Sequence, residues 1–143
     1  MKYSRLQNFK YGELFCGPGG MSLGAKMALI KKNRTQYKLT HAWANDIDYN
    51  LIFSRQIDGI GNSGDILIAI STSGNSMNIL RAVEKAISKN LKVIILAGQS
   101  SGKLDGMGDV HINIPSKDTQ RIQEGHLLAE HILCEIVESQ FLS

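Results

Sequence analysis

The chain has 143 residues, of which 43% are hydrophobic and 20% are charged, and its formal net charge is +3. A chain of this length forms one domain with a substantial core, and no apolar run approaches the roughly 18 residues of a membrane span. We therefore expect a single cytoplasmic domain over residues 1–143 with no membrane partner. The mild charge argues against a nucleic-acid partner.

Five short apolar runs bounded by turn residues are typical of β-strands. They fall at residues 12–16, 39–44, 65–70, 91–97 and 109–114. The intervals between them leave room for crossover helices, and strands that alternate with helices form parallel sheets. We predict an α/β fold, a three-layer αβα sandwich with a mainly parallel five-stranded sheet.

Two later segments have the apolar spacing of helices. Between the third and fourth strands, a stripe that would cover the sheet consists of Ile79, Leu80, Val83, Ala86 and Ile87. After Pro115, a second stripe predicts a long final helix, and its members are Leu128, Ile132, Leu133, Ile136 and Val137.

The turn after the first predicted strand is rich in glycine. Gly17 and Gly19 would let the backbone bend sharply and approach a ligand beside a helix N-terminus. Asp46, at the end of the second predicted strand, would accept hydrogen bonds from ribose hydroxyls. A tight strand-to-helix turn also needs glycine when nothing binds, so the purely structural explanation stays open.

The two stretches ELFCGPGGMSLGAK and THAWANDID resemble the first two motifs of the DNA cytosine-5 methyltransferases over about residues 12–50. The resemblance implies that Phe15, Gly17 and Gly19 line S-adenosylmethionine and that Asp46 binds its ribose. That family attacks the base with a Pro-Cys cysteine, whereas both prolines here precede other residues. We therefore expect no methyl transfer, and we expect S-adenosylmethionine to bind weakly or not at all.

The turn after the third predicted strand is rich in hydroxyl groups. Ser71, Thr72, Ser73 and Ser76 stand at the start of the next helix. Unpaired backbone N–H groups and the helix dipole favour an anion at such a position, and hydroxyls donate further hydrogen bonds to it. Ordinary caps and turns use the same residue types, so the pattern is consistent with either phosphate binding or a plain turn.

The stretch from about Phe53 to the C-terminus resembles the SIS-domain sugar-phosphate isomerases of the phosphoheptose isomerase group, through the motifs STSGNS and RIQE. The resemblance implies a homo-oligomer that binds a phosphorylated sugar similar to sedoheptulose 7-phosphate. In some members zinc is bound at the positions of Gln123 and His131, and the histidine also transfers protons. The serine and threonine residues that would hold the sugar phosphate are Ser71, Thr72, Ser73 and Ser76.

The first glycine turn can also be aligned with this isomerase group, but it departs from the group at three positions. The phosphate-binding serine after the glycines is Met21 here, the metal-binding histidine is Met27, and the catalytic glutamate is Lys31. We interpret the chain as chimera-like, with a methyltransferase-like β-α-β opening over residues 12–50 and a SIS-like part over residues 53–143. The leading hypothesis is a phosphosugar-binding SIS domain with impaired catalysis. The alternatives are a non-catalytic SIS binding protein and an S-adenosylmethionine-binding remnant.

Overall fold

The computed structural model describes residues 13–15 and 44–142. Strands β1 (Glu13–Phe15), β2 (Ile66–Ser71), β3 (Lys92–Ala97) and β4 (Val110–Asn113) form one sheet. The helices are α1 (Ile52–Ile60), α2 (Met77–Ser88) and α3 (Thr119–Leu142). There are also short 3₁₀ turns at Tyr49–Leu51 and Gly102–Leu104, and the described residues 44–46 are helical.

The strands are arranged in chain order, β1-β2-β3-β4, and every neighbouring pair is parallel. In register, Leu67 lies beside Val93, and Ile95 lies beside His111. Because all strands run in the same direction, the loops that follow β2, β3 and β4 emerge together at the carboxyl ends of the strands.

One face of the sheet carries the main core. Leu67 and Ala69 of β2 and Val93 and Ile95 of β3 are buried there against α2, since alternate residues of a strand point to the same face. Helix α2 contributes Ile79, Ala82, Val83 and Ala86, each with 0% exposure. Helix α1 packs on α2, and its Ile57 joins the same cluster.

The end of α2 sets the start of β3. The Asn90 N–H donates to the Ile87 carbonyl, and the Leu91 N–H donates to the Ala86 carbonyl. This is the Schellman arrangement of a helix C-terminus, and it requires a left-handed residue, which here is Asn90 with φ of 59°. Leu91, 8% exposed, then enters the core directly before β3.

Helix α3 is held to the rest of the molecule mainly through its first two turns. Its buried residues are Ile122 and His126, 4% and 3% exposed, and its contact within the described sheet is with β3. Most of the predicted apolar stripe of α3 is exposed instead, including Leu128 at 63% and Ile136 at 54%. Helical spacing identified the helix but not the face that it buries.

The described residues contain four strands, whereas the sequence predicted five. The missing one is the run at 39–44. Its residues 39–43 lie outside the described part of the chain, and residues 44–46 are helical. The short run LTHAWA is apolar enough for a buried helix turn as well as for a strand, an ambiguity that periodicity alone does not resolve. The other predicted strands are confirmed to within about one residue at each described end.

The α2 stripe is confirmed except at its C-terminal end, where Ile87 is 45% exposed. Among the described residues, no helix combines the length and the apolar character needed to cross a bilayer.

Candidate functional site

The loop that joins β2 to α2 is held in shape by its own hydroxyl groups. Ser71 ends β2 and is 1% exposed, and its hydroxyl accepts a hydrogen bond from the Gly74 N–H at 3.1 Å. The same hydroxyl donates to the Ser76 hydroxyl at 3.4 Å. The Asn75 N–H donates to the Ser73 hydroxyl at 3.2 Å. These bonds fix the turn before any ligand is present.

A second loop packs tightly against this one. Gly74 has φ of +65°, and a Cβ built on it would lie 1.8 Å from the Ser101 carbonyl oxygen. The Asn75 side chain donates to the Ser73 carbonyl at 2.9 Å and accepts from the Lys103 N–H at 3.2 Å. The position of the hydroxyl-rich loop is therefore set by the loop that follows β3, and only glycine fits at position 74.

The first turn of α2 offers backbone donors next to these hydroxyls. Ser76 is the N-cap, and its side chain makes no capping hydrogen bond. No described residue accepts a hydrogen bond from the N–H of Ser76 or Met77. The N-terminus of a twelve-residue helix carries partial positive charge, so these groups favour an anion.

The loops after β2, β3 and β4 surround an open cleft of about 560 Å³. Its position at the carboxyl ends of parallel strands is where this class of sheet binds ligands. The lining is mostly neutral and polar, and it consists of Thr72, Ser73, Asn75, Gln99, Ser100, Ser116, Lys117, Thr119 and Ile122.

Two of the four residues predicted to bind phosphate, Thr72 and Ser73, line the cleft. Ser71 and Ser76 take part in the hydrogen bonds of the loop. The next two loops also contribute walls of the cleft, including Gln99, Ser116 and Lys117, which were not predicted from the sequence. The sequence did contain a signal for these residues, because each of them follows a predicted strand, and the carboxyl ends of parallel strands lie together.

Next to the cleft, the backbone at Gly98 lies close both to the backbone of the hydroxyl-rich loop and to α3. The Gly98 N–H donates to the Thr72 carbonyl at 3.1 Å. A Cβ on Gly98 would lie 2.6 Å from that carbonyl oxygen and 2.7 Å from the Ile122 side chain. The absence of a side chain at position 98 thus lets α3 approach the ends of β2 and β3.

His126 is a buried histidine beside the cleft residue Ile122. Its Nε2 lies 3.0 Å from the Ala97 carbonyl oxygen, and because a carbonyl only accepts, Nε2–H is the donor. Burial lowers the pKa of His126 from its usual value, while the hydrogen bond to Ala97 opposes that shift. The hydrogen bond and the burial of His126 fit a structural role in joining α3 to the end of β3.

The predicted zinc residues lie on α3 and are not among the lining residues of the cleft. Gln123 and His131 are both exposed, and eight residues of helix separate their Cα atoms by about 12 Å along the axis. In the described part of the chain, no group of three or more His, Cys, Asp or Glu side chains is placed to hold a metal ion. The described residues do not form a zinc site by themselves, since such sites use three or four protein ligands.

The predicted S-adenosylmethionine residues are only partly described. Phe15 ends β1, while Gly17 and Gly19 lie outside the described residues. Asp46 is exposed and lies in a helical turn, where it accepts a hydrogen bond from the Asn45 side chain at 2.8 Å. The prediction placed Asp46 at the end of a strand, and that placement is wrong.

Comparison with known proteins assigns the fold and the loop to a class. The family model described as SIS domain matches residues 18–98, which is more than half of the chain. The match contains β2, α2, the loop between them, and all of β3.

Curated relatives narrow the class. The phosphoheptose isomerase of Helicobacter pylori strain P12 is 41% identical, over 90% of this chain and 74% of the relative. The phosphoheptose isomerase of Leptospira biflexa is 50% identical, over 78% of this chain and 56% of the relative. The chain belongs to the phosphoheptose isomerase family of SIS-domain proteins.

Solved structures agree with this assignment. The phosphoheptose isomerase GmhA from Neisseria gonorrhoeae has a TM-score of 0.69 and 40% identity, covering 72% of this chain and 59% of that one. A phosphoheptose isomerase from Francisella tularensis has a TM-score of 0.70 and 39% identity, covering 74% and 57%. The chain thus spans between about half and three quarters of the length of these relatives.

The comparisons lend no support to the methyltransferase-like interpretation of residues 12–50. The SIS family model begins at residue 18, and the alignment with the Helicobacter relative covers 90% of the chain. The family relationship therefore extends into the segment that the sequence analysis separated from it.

Proposed function

We propose that the chain binds a phosphorylated sugar similar to sedoheptulose 7-phosphate, with the phosphate at the loop between β2 and α2. One observation carries the proposal: Thr72 and Ser73 line the cleft in the loop that leads into α2, whose first N–H groups have no acceptor among the described residues. The names of the relatives, which are phosphoheptose isomerases, support this choice of ligand.

The chemistry of the loop suits a phosphate ester. Such a group carries about −1.5 to −2 charge at neutral pH. Hydroxyl and backbone N–H groups can donate hydrogen bonds to the phosphate oxygens without the help of a lysine side chain. The positive end of the helix dipole also attracts the negative charge of the phosphate. The bonds from Ser71 and Asn75 hold the loop in place, so little ordering is needed when the ligand arrives.

Binding is tested by calorimetry with sedoheptulose 7-phosphate. A hydrogen bond to a charged group contributes about 1.5–3 kcal/mol, so Thr72→Val and Ser73→Ala should each raise Kd about tenfold or more. Ser88→Ala is the matched control, because the Ser88 hydroxyl donates to the Lys85 carbonyl at the other end of α2. Unchanged affinity in both loop variants would show that the phosphate is bound elsewhere.

We further propose that isomerase turnover is absent or severely reduced. Moving a proton between adjacent sugar carbons needs a positioned base, which typically contributes 10²–10⁴-fold in rate. The resemblance places Lys31 where the family has a glutamate and Met27 where it has a metal-binding histidine. An ordinary ammonium group is protonated at neutral pH and accepts no proton. Both residues lie outside the described part of the chain.

A coupled assay of zinc-treated protein tests this proposal by comparing the native chain with the double variant Met27→His, Lys31→Glu. Restored turnover in the double variant would support the lost base. Native turnover within tenfold of an intact family member would show that another group moves the proton. Zinc at Gln123 and His131 stays a prediction, and we assign no step of the reaction to it.

A non-catalytic binding role is the second candidate, and the observation that favours it is the same pair, Met27 and Lys31. Such a protein would bind the sugar phosphate without converting it. The third hypothesis, S-adenosylmethionine binding, is disfavoured by the position of Asp46 in a helical turn. We expect calorimetry to detect no micromolar binding of S-adenosylmethionine, and a micromolar Kd would revive that hypothesis.

A further inference from the structure

The cleft contains one charged side chain among its described lining residues, that of Lys117. Its other described lining residues carry hydroxyl, amide or aliphatic groups. Lys117 is exposed and lies in the loop between β4 and α3. A lone cation in an otherwise neutral polar cleft raises the question of which anion it would contact.

The backbone on both sides of Lys117 is fixed. The Ser116 carbonyl accepts a hydrogen bond from the Gln99 N–H at 3.3 Å, which ties this loop to the one after β3. The Ser116 hydroxyl accepts from the Asp118 N–H at 3.1 Å. The Lys117 side chain therefore starts from a defined point on the wall of the cleft.

The neighbouring carboxylate is engaged elsewhere. Asp118 caps α3, because its side chain accepts from the Gln120 N–H at 2.9 Å and its carbonyl accepts from the Ile122 N–H at 3.0 Å. No described carboxylate lies within 4.0 Å of the Lys117 ammonium group. Nothing in the described part of the chain neutralises this charge.

The hydroxyl loop and Lys117 line the same cleft from loops that follow different strands. Thr72 and Ser73 follow β2, Lys117 follows β4, and β3 lies between these strands. Neighbouring strands are about 4.8 Å apart, so the two loops start about 10 Å from each other. A lysine on a flexible four-carbon stem can extend into such a gap and reach a phosphate at its far side.

We propose that Lys117 is a specificity-determining residue, which binds the phosphate of the sugar phosphate from the wall opposite the hydroxyl loop. This proposal rests on the proposed function and adds a charge to it. Neutral donors bind many oxygen-bearing groups, whereas a cation selects an anionic ligand and speeds its arrival at low salt.

Calorimetry with sedoheptulose 7-phosphate and with inorganic phosphate tests the proposal on the native chain, Lys117→Gln and Lys117→Arg. We expect Lys117→Gln to raise Kd about tenfold at low salt, the size of one charge-assisted contact, with a smaller ratio at high salt. Lys117→Arg should stay within about threefold of the native chain because the charge is kept.

Lys103→Gln is the matched control, because Lys103 is exposed on the adjacent turn, its side chain does not line the cleft, and its replacement changes net charge equally. The proposal is overturned if Lys117→Gln binds like the native chain, or if Lys103→Gln loses as much affinity. If the native chain binds neither compound, the proposed function fails as well. Native binding with no effect of Lys117→Gln removes only the role of Lys117.

Discussion

Gly74 is the residue on which the shape of the hydroxyl loop most directly depends. Its φ of +65° is left-handed, and the space for a Cβ is filled by the Ser101 carbonyl group. Gly64 offers a comparison within the same chain, because its φ is +87° but no atom lies within 4 Å of its Cβ position. The two glycines separate the cost of backbone strain from the cost of a collision.

We predict that Gly64→Ala lowers the free energy of unfolding by about 1–2 kcal/mol, the cost of a left-handed alanine. Gly74→Ala should cost about 3 kcal/mol or more, since overpacking adds to that strain. Urea titration of both variants measures the difference. Equal losses would mean that the two loops separate easily and do not hold each other.

His126 predicts a dependence of stability on pH. Burial lowers its pKa in the folded state, so below the usual value of about 6.5 the unfolded chain takes up a proton that the folded chain resists. The free energy of unfolding should therefore be fully maintained above about pH 6.5 and fall as the pH drops below that value. The loss ends below the folded-state pKa.

The measurement is urea unfolding of the native chain and of His126→Gln between about pH 7.5 and 5.5, a window above most carboxylate titration. The variant keeps an N–H donor but does not titrate, so its stability should vary less with pH. His131→Gln, a change at an exposed helix position, should keep the native profile. A native profile in His126→Gln would assign the pH dependence to other groups.

At the scale of the elements, α2 joins the sheet to the site. Ile79 is 0% exposed in its first turns, while Ile87 near its end is 45% exposed. We predict that Ile79→Ala lowers the free energy of unfolding by about 2–5 kcal/mol, because it leaves a cavity in the main core. Ile87→Ala should cost less than about 1 kcal/mol, and thermal or urea unfolding compares the two. A similar loss in both variants would show that something covers Ile87 in solution.

The elements also show how far the sequence analysis reached. Strands β2, β3 and β4 were predictable because each is an apolar run between turn residues, and α2 was predictable from its stripe. The run at 39–44 was predicted as a strand from the same kind of pattern, but its one described residue, Ala44, is helical. Helix α3 has more apolar residues at helical spacing than one buried face can hold, so the spacing did not identify which of them are buried. Its buried residues follow from the contacts with β3 and Gly98, which are not local in sequence.

At the scale of the whole molecule, the exposed apolar residues of α3 support the expected homo-oligomer. Leu127, Leu128, Ile132 and Ile136 are 46–63% exposed on one helix, and such a concentration is typical of a protein interface. We predict that the double variant Leu128→Glu, Ile132→Glu has a lower molar mass in light scattering than the native chain, closer to that of the monomer. Glu138→Gln, an exposed change on the same helix, should not. A monomeric native chain would contradict the expectation.

Only part of the candidate site was predictable from the sequence, because its residues come from several loops. The motif STSGNS placed the hydroxyl loop correctly at a strand-to-helix junction, because both its neighbours have clear periodicity. The remaining walls come from Gln99 and Lys117, which become neighbours only through the order of β3 and β4. The position of Asp46 was misjudged because it was inferred from a predicted strand, whereas the described residues 44–46 are helical.

Within the described sheet β1 is an edge strand, and its pairing bears on the order of folding. Glu13 pairs with Ile68, more than 50 residues later, whereas Ile94 pairs with Val110, fewer than 20 residues later. Contacts between distant residues close larger loops and form more slowly. On the ribosome, β1 emerges before β2, so the backbone groups of β1 cannot form their hydrogen bonds to β2 until β2 has been synthesised. The unit from β2 to β4 can assemble first, and β1 then adds to a sheet that already exists.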